Sequence, residues 1–128
     1  MVRLIPVARR SMKKKLTVYQ KPTCTKCRTT LQILKERGAE FEAINYFETP
    51  LTETELRGLL KKLGLTARDI LRKDEPLAKE LGLGKKNFSD EELIVLMAKH
   101  PELIQRPIVV CGEQAVLARP PENVEKLL

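Results

Sequence analysis

Aromatic residues are scarce in this chain. Two tyrosines, three phenylalanines and no tryptophan make up 4% of 128 residues. Nucleic-acid surfaces that stack bases need aromatic side chains interleaved with basic ones. Nothing of that kind accompanies the basic start, where Arg3, Arg9, Arg10, Lys13, Lys14 and Lys15 occur without one acidic residue. Those six charges account for most of the net +7, so the remainder of the chain carries about +1. Residues 1–14 are therefore read as a solvated basic tail rather than a nucleic-acid or membrane surface. They contain no continuous apolar core of the kind a secretory leader needs. Long apolar runs are also missing, and none approaches the roughly 18–20 residues of a membrane span. Cysteines number three and histidines one. An odd count in a chain able to bury a working core excludes a disulfide framework. A structural zinc site needs about four ligands. Beyond one C-x-x-C only Cys111 and His100 remain, so no metal site is expected. What is left is a cytoplasmic globular protein, with residues 15–128 as one domain.

The patterns that are present give an α/β order. "LTVYQ" at residues 16–20 predicts a strand, ended by Pro22. From Cys24 the period turns helical, with Cys27, Leu31 and Leu34 on one face and Gly38 placed to close the helix. Residues 41–45 predict a second strand, and a helical crossover of this length favours a parallel pair. Thr52 and Glu55 form a capping box before Leu56, Leu59, Leu60 and Leu63. Short helices are expected over Thr66–Leu71, with Asp69 at N3, and after Pro76. A second capping box, Ser89 and Glu92, opens a helix running to Lys99, with His100 at its end before Pro101. Ile108–Val110 and Ala115–Ala118 predict a hairpin about Gly112-Glu113. "PENVEKLL" predicts a last helix with Pro121 in its first turn.

The chemistry centres on "KPTCTKC". Cys24 falls at the predicted N-terminus of the first helix, where unpaired N–H groups and the positive dipole end stabilise a thiolate. Such positions lower a cysteine pKa from about 8.5 to about 3.5–7.5. Lys21, Lys26 and Arg28 add positive charge, and the Thr23 and Thr25 hydroxyls offer hydrogen bonds. The same N–H groups bind oxyanions. A nucleophile and an anion cradle thus share one short loop. Cys27, one turn along, has two readings: a partner that closes a disulfide with Cys24, or a buried thiol on the helix face. Cys111 reads as a core thiol at a strand end, and His100 as a helix-terminal residue.

The segments "VYQKPTCTKCRTTL", "NYFETPLTETEL", "LLRKDEP", "LGLGKKNFSDEELIVLMAKHPELIQRPIVV" and "LARPPE" follow one another in the order and spacing of the glutaredoxin-coupled arsenate reductase (ArsC) family. That family also includes the Spx-type regulators. The resemblance covers about residues 15–128. It implies a thioredoxin-like fold: a four-stranded mixed sheet with a helical insertion between the second strand and the C-terminal hairpin. It also implies a catalytic cysteine at Cys24, oxyanion-binding arginines at Arg72, Arg106 and Arg119, and a cis peptide at Arg106–Pro107 facing the cysteine. Arginine suits the role, since it is always protonated and offers a planar donor fork to a tetrahedral oxyanion. The implied reaction is arsenate reduction through a Cys24 thiol–arsenate adduct. Glutathione is the co-substrate, glutaredoxin or thioredoxin the partner, and no tightly bound cofactor or metal is involved.

Two departures from the reductase pattern stand out. Gln20 and Lys21 occupy the place where a histidine and an asparagine often precede the catalytic segment. Cys27 stands where many glutathione-coupled members carry serine. The second departure keeps open two alternatives. One is an Spx-like redox-sensing regulator that uses Cys24 and Cys27 and binds RNA polymerase; the other is a general thiol–disulfide oxidoreductase. Neither has much use for three oxyanion-binding arginines, and the reductase reading is preferred on that ground.

Overall fold

A computed structural model describes residues 15–84 and 87–128. The basic segment over residues 1–14 lies outside the described residues. The elements run β1 (Leu16–Gln20), α1 (Thr25–Glu36), β2 (Phe41–Asn45), α2 (Glu53–Leu63), α3 (Pro76–Leu81), α4 (Asp90–Lys99), β3 (Ile108–Cys111) and β4 (Gln114–Leu117). Three 3₁₀ segments, Arg68–Ile70, Pro101–Leu103 and Pro121–Leu127, complete them.

The four strands form one sheet in the order β2-β1-β3-β4. β1 pairs parallel with β2, with Val18 opposite Ala43, and antiparallel with β3, with Val18 opposite Val109. β3 and β4 form the expected hairpin. The pleat sends alternate side chains of β1 and β3 to opposite faces. Leu16, Val18 and Val109 join Leu34, Ala118 and Val124 in one core, under α1 and the C-terminal 3₁₀ segment. Ile108 and Val110 face the other way, into a larger core with Leu56, Leu59, Leu93, Met97 and Leu103 from the segments between β2 and β3. This two-sided mixed sheet with helices inserted before the hairpin is the thioredoxin-like arrangement. Among the described residues no helix is long and apolar enough to cross a membrane.

Local chemistry explains the element ends. Both capping boxes form. Thr52 Oγ1 accepts from the Glu55 N–H at 3.1 Å, and Ser89 Oγ accepts from the Glu92 N–H at 3.1 Å. Each glutamate returns a bond to the cap residue's N–H. Helix α1 ends as Gly38 turns left-handed at φ +67°. The Ala39 N–H then reaches back to the Leu34 carbonyl at 2.9 Å.

Three sequence expectations are revised. The helix expected over Thr66–Leu71 is a single 3₁₀ turn, Arg68–Ile70. Thr66 and Asp69 do exchange capping bonds. The chain then leaves extended at Leu71, because Leu71 bridges antiparallel to Ile104. The last helix is also wound as 3₁₀, over Pro121–Leu127. On α1 the fully buried residues are Cys27, Thr30 and Leu34, with Leu31 only partly covered. Thr30 tolerates burial because its hydroxyl donates to the Lys26 carbonyl at 2.9 Å.

Candidate active site

Strand β1 ends at Gln20, and Lys21–Cys24 makes the turn into α1. The Cys24 N–H bonds the Lys21 carbonyl at 2.9 Å, and Cys24 is the N-cap of the helix. Its sulfur accepts from the Cys27 N–H at 3.4 Å, the place a serine or aspartate oxygen takes at an ordinary cap. Cys24 is half-buried and Cys27 has no exposed surface. The two thiols differ accordingly. Partial burial pushes the Cys24 thiol up. Hydrogen bonds from the Cys27 thiol and N–H, the charge of Arg106 and the Lys26 N–H outweigh it, and the net direction is downward. Burial pushes the Cys27 thiol up to about 12, and its contact with Cys24 adds to the rise. Cys24 is thus the more acidic of the two thiols, and the Cys27 thiol donates to its sulfur.

The arginines come from across the sheet. Arg106 stands two residues ahead of the start of β3 and is only 8% exposed. Its Nε and one terminal nitrogen, Nη1, have no hydrogen-bond partner among the described residues. Burying a cation in this way is costly, and native proteins keep such groups where they serve a ligand. Its guanidinium lies 5.5 Å from the centre of the Phe47 ring, and the Lys21 ammonium lies 4.6 Å from the same ring. Tyr46 is buried beside them and donates its hydroxyl to the Ile104 carbonyl at 3.0 Å. Burial pushes the Tyr46 phenol up to about 12, with Arg106 pulling the other way.

Arg119 reaches Arg106 directly, its Nε donating to the Arg106 carbonyl at 2.7 Å. Arg72 is tied by backbone pairing to the segment that leads to Arg106. Its N–H donates to the Leu103 carbonyl at 2.8 Å, and the Gln105 N–H donates to the Ile70 carbonyl at 2.8 Å. The Arg72 guanidinium lies 3.8 Å from the Glu75 carboxylate, which offsets part of its charge. The peptide bonds Arg106–Pro107 and Arg119–Pro120 are both cis. Of the other cations expected to help, Lys26 and Arg28 are exposed, whereas Lys21 is half-buried. His100 is the C-cap of α4, its N–H on the Leu96 carbonyl at 2.8 Å. Cys111 packs partly buried against the α1-side core.

The sequence model of the ArsC family matches residues 19–127, a span running from β1 to the end of the C-terminal 3₁₀ segment. The chain belongs to the ArsC family. It is 45% identical over 118 residues to the uncharacterized protein YfgD of Escherichia coli K12, covering 91% of this chain and 99% of that protein. It is 40% identical over 114 residues to an arsenate reductase of Neisseria meningitidis serogroup A, covering 88% of this chain and 97% of that protein. Among solved structures, an arsenate reductase from Vibrio cholerae superposes with a TM-score of 0.85 at 44% identity, covering 90% and 98% of the two chains.

Tyr46 and Phe47 escaped notice in the sequence. They follow the last residue of β2, and a strand pattern assigns no role to the residues just beyond it. The signal available was the pair of adjacent aromatics in a chain with only five. Gln20 also ends up buried at 5% exposure, its side-chain carbonyl oxygen without a hydrogen-bond partner among the described residues, on the strand end leading to the cysteine loop.

Proposed function

We propose that this protein is a cytoplasmic arsenate reductase that works through Cys24. The observation that carries the reading is the pairing of a helix-capping thiolate with a buried, incompletely bonded Arg106. A thiolate alone would serve any disulfide exchange. A buried guanidinium with free donors suits a substrate that brings oxyanion oxygens. Arg72 and Arg119 complete the anion site in this reading, with Arg119 holding the Arg106 backbone as well.

The Cys24 sulfur attacks arsenic, so an arsenic–sulfur bond forms. An arsenic–oxygen bond breaks, and that oxygen takes up a proton and leaves as water. The arginines stabilise charge gathering on the remaining oxygens. Glutathione sulfur then attacks the Cys24 sulfur. The sulfur–sulfur bond forms, the electron pair of the arsenic–sulfur bond stays on arsenic, and arsenic leaves as arsenite, reduced by two electrons. Glutaredoxin removes the glutathione by thiol–disulfide exchange and returns Cys24 as a thiol.

Cys27 supports a second reading of the donor step. Its thiol is hydrogen-bonded to the Cys24 sulfur, so it is placed to displace arsenite and close an internal disulfide instead. Its burial and its pKa of about 12 make it a slow attacker beside glutathione. The test is arsenate-dependent NADPH oxidation with glutathione, glutaredoxin and glutathione reductase. Wild type and Cys27→Ser should both turn over, and Cys24→Ser should not. Loss of turnover in Cys27→Ser assigns the donor step to the internal disulfide, and no arsenate dependence in wild type refutes the function.

A further inference from the structure

We propose that Phe47 is a positioning residue whose ring face holds the Arg106 guanidinium and the Lys21 ammonium beside Cys24 in place of a carboxylate. The idea deepens the oxyanion-site reading above and rests on it.

A buried arginine is ordinarily matched by an acidic side chain. None of the ion pairs among the described residues involves Arg106. The ring takes that place. An aromatic face attracts a cation through its quadrupole and lends support to a guanidinium without cancelling its charge. A carboxylate at the same position would neutralise Arg106, compete with the substrate anion and push the Cys24 thiol upward. The ring is also well anchored. The Phe47 N–H donates to the Asn45 side-chain oxygen at 3.0 Å. The Tyr46 ring lies against it, with centroids 5.1 Å apart and planes tilted by 50°. The second cation ties the ring to the nucleophile's own loop, since the Lys21 carbonyl accepts the Cys24 N–H at 2.9 Å. Cys24 is faced by the Cys27 thiol from its own helix, by Arg106 from the segment before β3, and by the Lys21 turn. Phe47 touches two of these three groups.

The test compares Phe47→Leu, which keeps the apolar volume but removes the ring face, with Phe47→Tyr, which restores it. Phe47→Met serves as a second ring-free variant should Phe47→Leu fold poorly by far-ultraviolet circular dichroism. Two readouts are taken: the midpoint of Cys24 alkylation by iodoacetamide against pH without any oxyanion, and KM for arsenate. The ring-free variants should shift the midpoint upward and raise KM about three- to tenfold, the range a partly desolvated cation–ring contact supports. Phe47→Tyr should match wild type in both. A ring-free variant with an unmoved midpoint overturns the proposal, and so does Phe47→Tyr impaired as much as Phe47→Leu, which would mark a packing role. The alkylation readout needs no substrate. It therefore decides the role of Phe47 even if wild type fails to reduce arsenate, an outcome that would count against the function alone.

Discussion

Replacing Arg106 by methionine should make the protein more stable and less active. The side chain is 8% exposed, and two of its donor nitrogens have no hydrogen-bond partner among the described residues. Each unsatisfied buried donor costs about 1–3 kcal/mol, so removing both gains about 2–6 kcal/mol. Against this stands the contact with the Phe47 ring at 5.5 Å, worth up to about 2 kcal/mol. Methionine keeps the apolar stem and fills much of the volume. The balance is a gain of about 2 kcal/mol, and for a chain of this size a rise in Tm of about 8 °C. The same change removes the charge acting on Cys24. Its alkylation midpoint should therefore move upward and arsenate turnover should collapse. Calorimetry in a buffer free of phosphate and sulfate reads the first effect, and iodoacetamide titration the second. A Tm several degrees below wild type, with the fold otherwise intact, would refute the claim that Arg106 is an unpaired burden kept for an anion.

Other consequences are as direct. Because the folded-state pKa of Cys24 is depressed, its alkylation should extend to lower pH than that of an ordinary thiol. Cys27 and Tyr46 are raised to about 12 from 9.0 and 10.0. Their contribution to stability is complete below about pH 9 and is lost as pH rises toward 12, so denaturant melts should show alkaline destabilisation that Cys27→Ser reduces. Ser89→Ala should cost about 1 kcal/mol in chemical denaturation through loss of the α4 cap, with arsenate turnover unchanged. Leu93→Ala, at a side chain 1% exposed in the larger core, should cost about 2–5 kcal/mol by the same measurement.

How far the sequence could be read depended on the range of each signal. The capping boxes at Thr52 and Ser89 were legible because their bonds span three residues. The bounds of β1, and those of the hairpin to within one residue, followed from short apolar runs ended by Pro22 and Gly112. The position of Cys24 at a helix start was legible for the same reason, and so was the downward direction of its pKa. An anion site formed by Arg72, Arg106 and Arg119 was expected only through family resemblance. Arg72 is tied to the segment leading to Arg106 by pairing between residues 70–72 and 103–105, which no local pattern encodes. The turn at Arg68–Ile70 was misread as a longer helix because the Leu71–Ile104 bridge that ends it lies 33 residues away in the chain. Phe47 was invisible for a related reason: its partners, Lys21 and Arg106, lie far on either side in sequence and meet only over its ring.

The central claim is that the Cys24 thiolate attacks an oxyanion and is left as a mixed disulfide with glutathione. It is tested most directly by incubating the purified protein with glutathione under argon, without glutaredoxin, and mapping modified peptides by mass spectrometry. With arsenate added, glutathione should appear on Cys24 in near-stoichiometric amount, and arsenite should be released in equal quantity. With phosphate in its place, neither should form. Glutathionylation of Cys24 to the same extent without arsenate, or arsenite release that persists in Cys24→Ser, would contradict the account.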